Sequence, residues 1–145
     1  MSDKKNHPLF VIDADGPVKW PVLVRIPADG GEFALFQFTG VFKRMSEEEY
    51  EAIMATRKEK LPEIGSAEQV ELIAGKSRAE LLEENAALFP QLMTGWEDVR
   101  DATGTEVAFT QAVLHKQITG VNGMHLSVAL WTAIHEIRNG ARLGN

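Results

Sequence analysis

The chain has 145 residues, 44% hydrophobic and 25% charged, so it can bury a core without cross-links and is too apolar to be disordered. It has no cysteine, which excludes disulfides, thiol chemistry and Cys-ligated zinc. The net charge of −6 arises within residues 46–90, where 11 acids face 5 bases, and the rest of the chain is balanced; no basic face is left to capture nucleic acid or an anionic membrane.

Residues 1–7 are polar and precede a short apolar run, Leu9-Phe10-Val11-Ile12. That run is too short for a signal-peptide core or a membrane span, so the expectation is a soluble cytoplasmic protein that is not secreted. Phe10-Val11-Ile12 predicts a short strand, ended by Asp13-Ala14-Asp15-Gly16-Pro17. Trp20 to Ile26 alternates, with Val22, Val24 and Ile26 on one face and Leu23 and Arg25 on the other. Ala28-Asp29-Gly30-Gly31 signals a turn. Glu32 to Lys43 then reads as a long strand with Ala34, Phe36, Phe38 and Phe42 on one face. The pattern predicts an antiparallel hairpin whose aromatic face is covered by a second layer.

Helical signals follow. Ser46 with Glu49 is a capping box, opening a helix through Tyr50, Ile53, Met54, Arg57 and Leu61 that stops at Pro62. Ser66 with Gln69 starts a short helix, Val70 and Ile73 inward, that ends at Gly75. Ser77 with Glu80 is a second capping box, for a helix carrying Leu81, Leu82, Ala86, Leu88 and Phe89 and broken or kinked by Pro90. Gly95-Trp96 leads into a turn through Gly104. Phe109 then staples, and Thr110 caps, a helix with Val113, Leu114 and Ile118 that ends at Gly120. After the turn Val121-Asn122-Gly123, Met124 to Arg142 reads as the longest helix, with an apolar stripe wider than one packed face requires.

The predicted fold class is α+β: a small N-terminal antiparallel β-hairpin or sheet followed by about five helices. A single domain, 1–145, would hold a β-rich part at 8–44, an acidic helical part at 46–93 and a turn plus C-terminal helices at 94–145.

Motifs for chemistry are sparse. His135-Glu136-Ile137-Arg138-Asn139 resembles the zinc-protease helix but has Asn where the second imidazole must stand. Among His115, His125 and His135, the last two are ten residues apart and so do not share a helix face; a small hydrolase or ligand-binding domain using these histidines is a further reading. Asp13-Ala14-Asp15-Gly16 starts like a calcium loop, but Val24 occupies the twelfth position, where the loop needs Glu. No phosphate-binding glycine pattern occurs, and Ser127 lies in an apolar helix without an adjacent base. Trp20, Phe33, Phe36, Phe38 and Phe42 lack the basic surround of a base-stacking platform and read as core. The expectation is therefore no enzyme, no cofactor and no metal.

The distinctive segment is Gly95-Trp96, Val99, Asp101 and Gly104, then Phe109-Thr110 opening a helix, with a final helix ending in Ala141-Arg142-Leu143-Gly144-Asn145. Over about the last third of the chain this resembles the tail assembly chaperones of long-tailed phages and prophages. The Gly120-Val121-Asn122-Gly123 turn and the three histidines depart from that pattern.

The resemblance implies a non-enzymatic protein that binds the tape measure protein and keeps it soluble until the tail tube forms. Some such proteins self-associate, so a homo-oligomer is a second expectation; neither nucleic acid nor membrane is expected as a partner. Within the segment, Trp96 reads as an anchor between the third and last helices, with Asp98, Asp101 and Thr103 bonding turn amides. The wide stripe of the last helix nominates Leu126, Leu130, Trp131, Ile134 and Ile137 as a partner-binding surface. The alternative is a small structural phage protein, such as a tail completion or head–tail joining subunit.

Overall fold

A computed structural model describes residues 7–56 and 77–140. Among them are a three-stranded antiparallel sheet and four helices, an α+β arrangement. The short helix expected from Ser66 to Gly75, the Arg57–Pro62 end of the first helix and the Ala141–Asn145 terminus lie outside the described residues.

The hairpin forms where alternation places it. Strand β1 (Val18–Ala28) pairs along its whole length with β2 (Glu32–Phe42), joined by the tight turn Asp29–Gly31. Val22 stands opposite Phe38 and Val24 opposite Phe36, so these side chains share one face. A third strand, β3 (Met93–Glu97), pairs only with the base of β2, Gly40 meeting Trp96 and Thr39 meeting Glu97. Gly95-Trp96 is thus strand rather than the approach to a turn. A salt bridge of 2.6 Å from Lys19 Nζ to Glu97 Oε2 links β1 to β3 on the outer face. Gly40 is required by close approach: a Cβ there would lie 2.5 Å from the Phe42 ring, which folds over it into the core.

Helix α1 (Glu47–Met54) and helix α2 (Arg78–Leu92) both begin at the expected capping boxes, Ser46 with Glu49 and Ser77 with Glu80. Pro90 does not break α2, which runs two residues past it to Leu92. Helix α3 (Gln111–Ile118) is capped by Thr110, whose hydroxyl accepts from Val113 N at 3.0 Å. Helix α4 (Gly123–Asn139) ends at Gly140, in the left-handed conformation that closes many helices.

The core lies between one sheet face and the helices. Val22 and Phe42 from the sheet meet Phe89 of α2, Leu114 and Ile118 of α3, and Leu130 and Ala133 of α4. The covering layer is shorter than the hairpin. Phe38 and Phe42 reach the core, but Phe36 on the same face stays 55% exposed, which corrects the expectation that the whole aromatic face is covered; Phe33 and Leu35, 57% and 61% exposed, lie on the opposite face. Phe10-Val11-Ile12 is not a strand, and it pairs with no strand among the described residues. Leu9 through Ile12 are 65–90% exposed.

Candidate partner-binding surfaces

Helix α4 carries the five side chains nominated for binding, and the fold turns most of that face inward. Leu130 and Ile134 are buried, while Leu126, Trp131 and Ile137 are half-buried and packed against the core. The Trp131 ring lies 4.9 Å from that of Phe89, and its Nε1 donates to Asn85 Oδ1 at 3.3 Å. The width of the stripe has a simple cause: α4 is wedged between β1 on one side and α2 and α3 on the other. The stripe is therefore largely core, a correction to its reading as a docking face.

Ile134 and Ile137 also reach an open cavity of about 250 Å³ between α1, α4 and the end of β2. Its floor includes Phe42, Tyr50 and Leu92, and Lys43, Arg44 and Arg138 stand on its rim. Arg138 is held there by Glu47, 2.6 Å from Nη2 to Oε1, and its guanidinium stacks 3.7 Å over the Tyr50 ring.

The Gly95–Thr110 segment folds as a latch on the sheet. Trp96 does not sit between two helices. Its ring contacts Phe38 of β2 and Phe109 edge-on, at 6.1 and 5.0 Å, and its Nε1 donates to the Val107 carbonyl at 2.8 Å. Strand geometry sends this ring to the sheet face it shares with Gly40. Val99 accepts from Val107 N, so the chain doubles back between them. At the tip, Asp101 Oδ1 accepts from Thr103 N, Thr105 N and the Thr103 hydroxyl at 2.9, 3.0 and 2.6 Å. Gly104 takes φ 86, and Asp98 supplies a second left-handed bend at φ 67.

The Thr103 hydroxyl bond, then the Thr105 amide bond, holds the Asp101 carboxyl below its ordinary range. A depressed folded-state value means that the stabilisation is complete above the ordinary carboxylate range. It is lost as pH falls through the folded value. The amide resonances of Thr103 and Thr105 should therefore titrate with an acid midpoint below that of an ordinary aspartate. Asp101→Ala should abolish the transition and speed exchange of both amides about tenfold at neutral pH. Unchanged exchange in the variant would refute the latch.

The histidines do not converge. His115 pairs with Glu83 at 2.9 Å, and His135 lies beside the Trp131 ring. Among the described residues no three His, Cys, Asp or Glu side chains are grouped to hold a metal ion. Glu136, the acid of the zinc-protease-like stretch, points into the protein and is buried. Its Oε1 accepts from Trp20 Nε1 at 2.7 Å, joining α4 to β1.

Comparison with protein families, with curated proteins and with solved structures gives no match. The chemistry of the surface is thus the guide to function. Among the described residues no helix is long and apolar enough to cross a membrane. Sequence reasoning missed two apolar features: the uncovered end of the hairpin, with Arg25 stacked 4.8 Å over Phe33, and the exposed run Leu9–Ile12. Alternation shows which residues share a face, but carries no signal of where the covering layer stops.

Proposed function

We propose that this protein is a non-enzymatic phage tail assembly chaperone that binds the tape measure protein in the host cytoplasm and keeps it soluble during assembly. The proposal starts from the resemblance of the Gly95–Thr110 segment and the helices after it. The observation that carries it further is the cavity bounded by Ile134 and Ile137, with an apolar floor and Lys43, Arg44 and Arg138 at its rim. A cavity of about 250 Å³ accepts one large apolar side chain projecting from an amphipathic helix; Glu47 also lines it and is paired with Arg138, so Lys43 and Arg44 are the rim charges that favour acidic neighbours on that helix. A tape measure protein, long and helical with recurrent apolar positions, offers such side chains in series.

Coexpression with the tape measure protein encoded alongside should yield a soluble complex. Lys43→Glu and Arg44→Glu, both on the exposed rim, should each weaken it about tenfold or more while circular dichroism stays unchanged. Binding unaltered in both folded variants would disprove the cavity as the docking point. Failure of the native chain to bind or solubilise the tape measure protein would overturn the chaperone assignment itself. The structural-subunit alternative predicts that the protein remains in finished virions, where the chaperone would be missing.

A further inference from the structure

The sheet has two unlike edges. The outer edge of β1 carries Lys19, Pro21, Arg25 and Pro27, residues that discourage pairing with another strand. On the other side, β3 covers β2 only from Thr39 to Phe42. Among the described residues, the stretch Phe33-Ala34-Leu35-Phe36-Gln37 is left without a neighbouring strand on that side, and it contains neither a charge nor a proline. Both faces there are apolar, Phe33 and Leu35 on one and Phe36 on the other. A long, exposed, uncharged edge of this kind is a template for strand addition.

The chain itself carries a strand-forming segment that is paired with no strand among the described residues. Leu9-Phe10-Val11-Ile12 is rich in residues that favour strands and is 65–90% exposed. It cannot reach the open edge of its own molecule. Val18 pairs with Phe42 at the base of the sheet, and β1 lies on the far side of β2 from that edge. Even at its near end, beside Gln37, a strand on that edge is two strand spacings across and five residues up, a straight line of about 19 Å that passes through β2. The link from Ile12 to Val18 extends at most about 20 Å, which leaves no length for a path around β2. It is bent besides, with Asp13 at φ 64.

We propose that two copies of the chain form a dimer by exchange, the Leu9–Ile12 segment of each adding as a strand to the open β2 edge, Phe33–Gln37, of the other. Area favours this occupant. Phe33, Leu35 and Phe36 alone present roughly 300 Å² of exposed surface, too little for a stable contact. Together with Leu9 through Ile12 they present roughly 800 Å² per copy, the share of each partner in a standard interface. The exchange is symmetric, so each apolar feature satisfies the other and the assembly closes at two. It does not depend on which client the protein serves.

Analytical ultracentrifugation of the full chain, with no client present, should give a dimer at micromolar concentration. Phe10→Asp and Leu35→Lys both fall on exposed side chains, so each should weaken the dimer about 100-fold or more with the circular dichroism spectrum unchanged. Because the chain has no native cysteine, a Val11→Cys copy mixed with a Leu35→Cys copy should form a mixed disulfide on oxidation. A monomer at 100-fold higher concentration would overturn the proposal. So would a dimer that survives Phe10→Asp, which would assign the edge to a second β2, and so would a disulfide closing within one doubly substituted chain.

Discussion

Trp131→Glu is expected to cost about 3–5 kcal/mol of folding stability before any partner is added. The ring is stacked on Phe89, which is completely buried, and its Nε1 is held by Asn85. Replacement removes both contacts, and the new carboxylate is placed against the buried Phe89, where its lost hydration is costly. A domain of this size is stable by about 5–15 kcal/mol in all, so the variant should be partly unfolded or nearly so. Thermal unfolding followed by circular dichroism should show a Tm lower by about 10 °C or more. A Tm within a few degrees of the parent would mean that α4 does not rest on this indole. One consequence concerns function: loss of tape measure binding in this variant would report unfolding, not a surface. Lys43→Glu and Arg44→Glu, on the exposed rim of the cavity, separate the two.

The second large effect is expected at Gly123→Ala. Gly123 is the first residue of α4, and a Cβ there would lie 1.8 Å from the Ile118 carbonyl oxygen and 2.7 Å from its carbon. Both atoms belong to the backbone at the end of α3, so no side chain can swing away to make room. Overpacking of this kind costs about 1–3 kcal/mol, and backbone against backbone belongs at the top of that range. The variant should unfold several degrees lower. Gly16→Ala is the control, because nothing lies within 4 Å of its added Cβ and its Tm should match the parent. Equal Tm values for the two variants would contradict the close approach of α3 to α4.

Local signals were legible in the sequence where local chemistry decides the structure. Ser46, Ser77 and Thr110 cap the helices they were expected to cap, because each hydroxyl reaches an amide three residues away. The hairpin was legible from alternation alone. Strand β3 was not, since its partner Thr39–Phe42 lies more than fifty residues earlier and a five-residue strand holds too little alternation to stand out. Trp96 was expected between helices because a tryptophan announces burial without naming its neighbour; the strand sends it to Phe38 and Phe109. For α4 the stripe width signals contact on more than one side without saying what makes it. That contact proved to be largely internal, as the sheet and two helices all lean on one rod. Leu130 and Ile134 are accordingly core, and only the Ile134–Ile137 edge opens to a cavity.

The placement of the three indoles gives the molecule its own optical gauge. Trp20 marks the seam between β1 and α4, Trp96 the seam between the sheet and the latch, and Trp131 the seam between α2 and α4. Each one donates its ring N–H across the joint it occupies, so opening any joint exchanges a protein acceptor for water around one fluorophore. Three chains that each retain a single tryptophan would report, separately and without added dye, which seam loosens first when the protein is heated and which one responds when a client arrives.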